Sequence, residues 1–258
     1  MERNVLNLGR VELVDKMGTD YSVLRAARVS TGNEASKGEK KDKGLLDFLY
    51  RNDHISPFSF VSFQFYIKCP VFVARQWMRH RTWDFNEASA RYKQLETEYF
   101  FPEEWRMQDT ENKQGSVSTS ELEKNLSFYN EKASGVYKSN ENTYQNLIES
   151  GIAREQARTV MPAGQYTEFY GHVNMRNLFH FLSLRLDEHA QYEIRVYAEA
   201  ILDILENIDD IKWSVEAFKK YDRLKKLYNE GINLSKKKFK TTEAFENLLK
   251  SFIEENKE

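Results

Sequence analysis

The chain has 258 residues, of which 40% are hydrophobic and 30% charged, and its formal net charge at pH 7 is −2. The near-neutral charge excludes binding of polyanions through total charge alone, and the single cysteine excludes an internal disulfide and argues against a cysteine-based zinc site. No apolar run approaches the roughly 20 residues of a membrane span and the N-terminus has no apolar signal region, so we expect a cytoplasmic protein without a membrane partner.

The first half of the chain predicts short strands and helices. The predicted elements are a strand over residues 11–17, a helix over 21–28 capped by Asp20, a mobile polar loop over 32–43 and a helix over 44–52. Apolar and polar residues then alternate over 61–68, which is typical of a half-buried strand. Pro70 suits the first position of a helix, so we expect a helix over 71–78.

The second half predicts mainly helices around one strand. Residues 102–120 are polar and are interpreted as a surface excursion that ends at a capping-box pattern, Ser120 and Glu123. The elements predicted after it are helices over 126–149 and 153–160, a strand over 165–173, a helix over 175–184 capped by Asn174, a long helix over 187–208 and a helical tail over 222–258.

The polar stretch over residues 79–92 has a composition that a packed core does not use. It combines Arg79, Arg81 and Arg91 with a histidine, two carboxylates, an asparagine and several aromatic rings. Buried charges are costly unless they are paired, so the stretch is either solvated or built to hold a charged ligand that carries a ring. The arginine forks suit phosphate, and the asparagine and glutamate can hydrogen-bond the edge of a base.

The sequence lacks the residues that other classes of catalysis require. Cys69 precedes a proline at a strand end and is expected to be a small buried hydrophobe, while Ser89 has no evident base in the sequence. The histidines form no HxxxH or HExxH pattern, so no metal site is expected. Neither a P-loop nor a GxGxxG fingerprint is present. Phosphates would therefore be held by arginines, and the candidates are Arg79, Arg81, Arg91, Arg158, Arg176 and Arg185.

The run RHRTWDFNEASARY at residues 79–92 closely resembles RHRxxSxNExSxRY, the signature of the flavin-dependent thymidylate synthases. Further segments are similar to the family on both sides of it. They begin at His54, Phe72, Ala153, Asn174 and Leu184. The resemblance extends from about Tyr21 to Ile204.

The resemblance implies both a reaction and a fold. A methylene group would pass from methylenetetrahydrofolate to C5 of dUMP, with FAD as cofactor and NADPH as its reductant. The implied fold is a single α+β domain over residues 1–258, with a central, largely antiparallel sheet flanked by helices, assembled into a homotetramer with shared active sites. Because a flavin carries the difficult chemistry, the protein has to position and polarise the reactants and needs no nucleophile of its own.

The resemblance also implies which residues form the site. The expected FAD-binding residues are Ser56, Arg79, His80, Arg81, Glu87, Asn174, Arg176 and His180. The expected dUMP-binding residues are Gln76, Trp77, Met78, Arg79, Glu87, Ala88, Ser89, Ala90, Arg91, Arg158 and Arg185. Arg185 is the expected catalytic residue, because a guanidinium beside N3 and O4 of uracil would stabilise the anionic ring and so increase electron density at C5.

One residue departs from the signature, and there are two alternative functions. Asp84 replaces the signature serine and is expected to point away from the phosphates or to pair with an arginine. A related enzyme that hydroxymethylates dUMP would have a similar sequence. A binder of single-stranded nucleic acid, with the arginines on phosphates and the aromatic rings stacked on bases, is a hypothesis from another class. The net charge and the carboxylates in the stretch argue against a stable nucleic-acid partner.

Overall fold

The computed structural model of the protein describes residues 1–32, 35–94, 97–110, 113 and 115–238. The chain folds as two compact units. The first consists of Met1–Ser36 and Ile55–Lys212, and the second of Lys37–His54 and Trp213–Glu258, as far as these are described. All residues expected to form the site lie in the first unit.

An antiparallel sheet forms the centre of the first unit. The strands, in chain order, are β1 (Glu2–Val5), β2 (Gly9–Met17), β3 (Ser62–Pro70), β4 (Asp84–Glu87), β5 (Met107–Gln108), β6 (Ser116–Val117) and β7 (Tyr166–Asn174). In the described chain, five of them form one sheet in the order β1-β2-β3-β7-β4, and β5 pairs with β6. Every pairing is antiparallel, which confirms the predicted largely antiparallel sheet.

The alternation in β3 decides which face of the sheet is buried. Phe63, Phe65 and Ile67 are buried, and the more polar residues between them point to the opposite face. The predicted strand is therefore present, but it continues to Pro70, which pairs with β7 and occupies the cap position before the next helix instead of its first turn.

The helices, in chain order, are α1 (Asp20–Arg28), α2 (Glu39–Arg51), α3 (Val71–Trp77), α4 (Ser120–Lys124), α5 (Leu126–Glu149), α6 (Arg154–Ala157), α7 (Met175–Arg185), α8 (Tyr192–Glu206) and α9 (Lys212–Lys238). The helices of the first unit flank its sheet, as predicted, and the second unit contributes α2 and most of α9. Short 3-10 helices occupy Val29–Thr31, Ser56–Phe60, Arg158–Val160 and Asp209–Ile211. Within the described residues, no helix is both long enough and apolar enough to span a bilayer.

Three predicted boundaries were wrong. Helix α1 begins at Asp20 itself, and Thr19, not Asp20, occupies its cap position. Helix α2 begins at Glu39, so residues 39–43 are helical and not loop; its acidic first turn and lysines suit a helix N-terminus and interior. Helix α8 begins only at Tyr192, because the Asp187 carboxylate accepts a hydrogen bond from the backbone N–H of His189 (3.0 Å) and stabilises a turn there.

Strands β1, β4 and the β5–β6 pair were not predicted. β4 lies inside the polar stretch, where only its pairing with β7, about eighty residues later, makes it a strand. β5 and β6 lie in the 102–120 excursion and are both exposed. Thr119, not Ser120, caps the helix that follows, and its side chain accepts from the backbone N–H of Leu122.

An aromatic cluster between the sheet and the helices positions α3. The fully buried ring of Trp77 stacks on Phe181 of α7 at 4.9 Å between centroids and meets Phe169 of β7 edge-on at 5.6 Å. Tyr197 of α8 donates a hydrogen bond to the backbone carbonyl of Lys68 at 2.8 Å. Since α3 ends at Trp77, this packing fixes the point from which residues 79–92 begin.

The second unit is built from α2 and the part of α9 after Lys212. Phe218 contacts the ring of Tyr50 edge-on, and the Tyr221 hydroxyl donates to the Asp47 carboxylate at 2.6 Å. Helix α9 covers the first part of the predicted helical tail, and residues 239–258 of that tail lie outside the described residues.

Candidate active site

A pocket of about 350 Å³ lies where the end of β4 meets β7. It brings together four residues expected to bind dUMP, namely Glu87, Ala88, Ala90 and Arg158. The backbone N–H of Ala88 donates to the carbonyl of Glu168 at 2.9 Å, so the chain leaving β4 stays attached to β7. The sheet thus joins two distant segments of the predicted site.

Thr167 of β7 holds the side chain of Glu87. Its hydroxyl donates to Glu87 Oε1 at 2.7 Å, which fixes one carboxylate oxygen at the pocket wall. Thr167 is not among the site residues expected from the sequence. The sequence placed Thr167 in a predicted strand. It could not identify Glu87 as the partner, because that contact depends on the register between β4 and β7.

The acidic residues that line the pocket have cationic or hydrogen-bonding partners. Lys93 and the Tyr66 hydroxyl both donate to the Glu168 carboxylate, at 2.8 and 2.6 Å, and Lys68 pairs with Glu98 at 2.6 Å. The hydrogen bonds from Lys93 and Tyr66 lower the pKa of Glu168, so this carboxylate stays ionised. These acids are therefore already neutralised by partners within the wall.

Two arginines that line the pocket remain for an anionic ligand. Arg158 and Arg75 line the pocket with exposed guanidinium groups, and neither has a side-chain partner in the described part of the chain. Arg91 forms an ion pair with Glu155 at 2.9 Å, with both side chains more than half exposed, and such a pair is weak enough to exchange for a phosphate. Arg75 lies in the similar segment that begins at Phe72, and it is not among the residues expected to form the site.

A second group of predicted residues lies on α7 and the start of the polar stretch. Arg185 Nε donates to His80 Nε2 at 3.0 Å, and His80 also packs against the ring of Phe181. Burial, with smaller effects from the charges of Arg185 and His180, lowers the pKa of His80 to about 4. His80 is therefore neutral at pH 7, with Nε2 as acceptor and the proton on Nδ1.

This pairing leaves most of the Arg185 guanidinium unused. Its two terminal amino groups have no partner among the described residues, and the group is partly buried, which lowers its pKa. A planar fork held at one edge and unsatisfied at the other can bind an oxygen or nitrogen acceptor of a ligand.

The remaining residues expected to bind FAD are more dispersed. Arg79, Arg81 and Arg176 are exposed and have no side-chain partner within the described ranges. Asn174 uses its side-chain oxygen to cap α7 by accepting from the backbone N–H of Asn177 (3.0 Å). Ser56 is exposed in its 3-10 helix, and no contact among the described residues joins it to the other predicted residues.

Four further residues expected near dUMP have the following surroundings. The Gln76 side chain donates to the Gln191 side chain. Trp77 is fully buried, so a contact from it to a nucleotide would have to use the backbone. Met78 is half-buried directly after α3, and Ser89 accepts a hydrogen bond from the backbone N–H of Arg91 at 3.3 Å.

Cys69 is buried as predicted, whereas Asp84 lacks the arginine partner that was one of its expected surroundings. The Asp84 side chain is 90% exposed and lies 3.3 Å from His172 Nδ1 on β7, so it pairs with a histidine and not with an arginine. Cys69 is buried and burial raises the pKa of its thiol, which removes the reactive thiolate. Within the described residues, no group of three or more His, Cys, Asp or Glu could hold a metal ion.

The fold and the site together define an α+β protein with an arginine-lined pocket and, in the same unit, a neutral histidine paired with a partly buried arginine. The sequence matches the family model of the thymidylate synthase complementing protein over residues 12–209. The chain belongs to this family, the flavin-dependent thymidylate synthases.

Individual relatives agree with this assignment. The flavin-dependent thymidylate synthase of Thermus thermophilus is 46% identical over 210 residues, which cover 81% of this chain and 76% of that protein. That of Treponema denticola is 40% identical over 253 residues, covering 96% and 90%. Among solved structures, a UMP/dUMP methylase, PolB from Streptomyces cacaoi bound with 5-Br UMP, has a TM-score of 0.75 and 35% identity, covering 83% of this chain and 95% of that one. The predicted family and enzyme class are confirmed.

Proposed function

We propose that this enzyme converts dUMP to dTMP, with methylenetetrahydrofolate as the one-carbon donor and FAD reduced by NADPH as the reductant. The observation that supports the proposal best is the Arg185 guanidinium, held by neutral His80 at one edge and unsatisfied at the other. Family membership supplies the reaction class. The solved relative bound with a brominated uracil nucleotide supports a uracil nucleotide as the substrate.

The pocket at the end of β4 is proposed to hold dUMP. Arg158 would bind the phosphate, and Arg91 would join it by leaving Glu155. The uracil ring would face the free amino groups of Arg185. Deprotonation of uracil at N3 makes C5 more nucleophilic, and a fixed cation at N3 and O4 favours that anion without reorganising during the reaction.

The residues present fit a flavin nucleotide. Three exposed guanidinium groups without described partners, those of Arg79, Arg81 and Arg176, suit its phosphates. His180 lies one helical turn from Arg176 on α7 and presents ring nitrogens on the same face. When bound, FAD would supply the reducing equivalents that convert the transferred methylene group to a methyl group.

His80 has a defined part in this arrangement. Because Nε2 accepts from Arg185, the imidazole proton lies on Nδ1, which can donate to a cofactor or to water. Because His80 stays neutral, it does not repel Arg185 or compete with it for the uracil anion.

We also propose that the enzyme acts as a homotetramer with sites shared between subunits. The support is the family resemblance, together with the exposure of Ser56, Arg79, Arg81 and Arg176, which leaves these residues available to a ligand bridging two chains.

The decisive experiment measures product identity on purified protein loaded with FAD. With dUMP, methylenetetrahydrofolate and NADPH, we expect dTMP by mass spectrometry, and no product when any one of these is left out. UMP in place of dUMP tests whether the enzyme requires the deoxyribose. A product heavier than dTMP by one oxygen would identify hydroxymethylation. A protein that keeps no flavin absorbance after desalting contradicts the proposal, and light scattering that shows an active monomer contradicts the tetramer.

A further inference from the structure

A chain of polar side chains connects the 102–120 excursion to Gln76. Arg106 Nη2 donates to Glu193 Oε1 at 2.5 Å, and Gln191 Nε2 donates to Glu193 Oε2 at 2.8 Å. Gln76 Nε2 in turn donates to Gln191 Oε1. We call these four residues, Arg106, Glu193, Gln191 and Gln76, the polar relay.

The centre of the polar relay is buried and charged. Glu193 is only 4% exposed, and the Arg106 side chain is 18% exposed. A buried carboxylate is costly unless its charge and lone pairs are satisfied. Each Glu193 oxygen accepts a hydrogen bond here, from Arg106 or from Gln191. Because loss of either bond would leave a buried charge unsatisfied, both donors are held in place.

Arg106 is itself held from two further sides. Its Nε donates to the Ser116 hydroxyl of β6 at 2.9 Å, and its guanidinium lies 4.9 Å from the ring centre of Tyr192. The β5–β6 hairpin thus brings a fixed cation to the first turn of α8. An excursion that only filled space would not need a cation buried against a carboxylate.

The direction of the hydrogen bonds determines what Gln76 can offer. An ionised carboxylate only accepts, so Gln191 must donate to Glu193 through its amide nitrogen. The Gln191 carbonyl then faces Gln76 and accepts from it, which turns the Gln76 nitrogen inward. The Gln76 carbonyl oxygen is left for a donor, such as a hydroxyl or N–H of the nucleotide.

We infer that Arg106 and Glu193 are positioning residues that set the amide orientation of Gln76 through Gln191, and so strengthen dUMP binding. The inference rests on the proposed function, because Gln76 is there a residue that contacts dUMP. It assigns a role in substrate recognition to the excursion, to which the sequence resemblance gave none.

The test compares Glu193→Gln with Glu199→Gln, which is the same substitution on the same helix. Glu199 is more than half exposed and lies 3.7 Å from Arg195, outside the polar relay. On FAD-loaded enzyme, we expect Glu193→Gln to weaken dUMP binding about three- to tenfold, the size of one or two lost hydrogen bonds. The dUMP KM should rise more than kcat falls, flavin absorbance should be retained, and Glu199→Gln should match the wild type.

A double-mutant cycle separates positioning from a general structural role. In a Gln76→Ala background the relay has nothing to orient, so adding Glu193→Gln should change dUMP affinity less than twofold. Arg106→Gln, at the more accessible end, should reproduce the weakening, and Arg106→Lys should recover part of it because it keeps the charge. This second site tests the inference even if Glu193→Gln does not fold.

Two results would overturn the inference alone. One is wild-type dUMP affinity in both Glu193→Gln and Arg106→Gln, and the other is an equal loss in the Gln76→Ala background, while wild-type enzyme binds dUMP and makes dTMP. Wild-type protein that binds no dUMP would overturn the proposed function, and the inference with it.

Discussion

Arg185 donates through Nε to His80 Nε2 at 3.0 Å, which joins the predicted catalytic arginine to a histidine from the middle of the RHR motif. The two residues are about a hundred positions apart in the chain. The bond selects a tautomer for the histidine and an orientation for the guanidinium. Either residue is therefore expected to affect the function of the other.

Replacing Arg185 should separate flavin reduction from methylation. Arg185→Ala removes the free fork, with a loss of about 1.5–3 kcal/mol for each charge-assisted hydrogen bond to the uracil and a larger effect on the rate if charge develops there. Arg185→Lys keeps the charge but not the paired donors, so it should also be impaired.

Flavin reduction and dTMP formation are both measured on each Arg185 variant. We expect anaerobic reduction of the flavin by NADPH to continue while dTMP formation falls at least tenfold in Arg185→Ala. Near-wild-type dTMP formation by that variant would show that Arg185 is structural.

His80 should make the folded state sensitive to acid. Its pKa is about 4 in the folded protein against an ordinary 6.5, so between these values the unfolded chain binds more protons. The stability associated with neutral His80 is fully present above pH 6.5 and is lost as the pH falls towards 4. His80→Gln should flatten this part of the profile, as measured by urea unfolding at pH 7, 6, 5 and 4, and an unchanged slope would contradict the assignment.

Thr167 is expected to affect ligand binding because it holds the side chain of Glu87. Thr167→Val keeps the shape of the side chain but removes the hydroxyl that donates to Glu87 Oε1. We expect the affinity for dUMP or FAD to fall about tenfold or more, since one hydrogen bond to a charged group contributes about 1.5–3 kcal/mol. Thr167→Ser keeps the donor and is the matched control. Equal binding by Thr167→Val and wild type in a titration would exclude this role.

Cys69 should be dispensable for catalysis. It is buried at the end of β3, and burial raises the pKa of its thiol. Cys69→Ala removes one buried sulfur, so we expect about 1–2 kcal/mol less stability in denaturant unfolding and most of the activity retained. Loss of turnover in a folded Cys69→Ala variant that still binds flavin would require a thiol mechanism.

Asp84→Ser, which restores the signature residue, should be tolerated. The Asp84 side chain is almost fully exposed, and its pairing with His172 is of the surface kind, worth about 1 kcal/mol or less. We expect thermal stability and dTMP formation close to those of wild type. A large decrease in turnover with flavin still bound would assign Asp84 a role of its own.

Elements with a strong local signal were predictable from the residues alone. The period of two in β3, the Asn174 cap of α7 and the spacing of buried residues in α8 depend on neighbours a few positions apart. The 79–92 signature likewise identified the family, because the chemistry of a charged, ring-bearing ligand requires an unusual local composition.

Features that depend on distant partners could be known only from the fold. β4 is a strand because β7 pairs with it. Glu87 is oriented because the register pairs it with Phe169, which leaves Thr167, two residues away on β7, within hydrogen-bond distance of its carboxylate. The Arg185–His80 bond and the polar relay from Arg106 to Gln76 also join segments far apart in the chain. Their existence depends on packing and chain topology, which no short window of sequence encodes, whereas the chemical identity of the groups was already present in the residues.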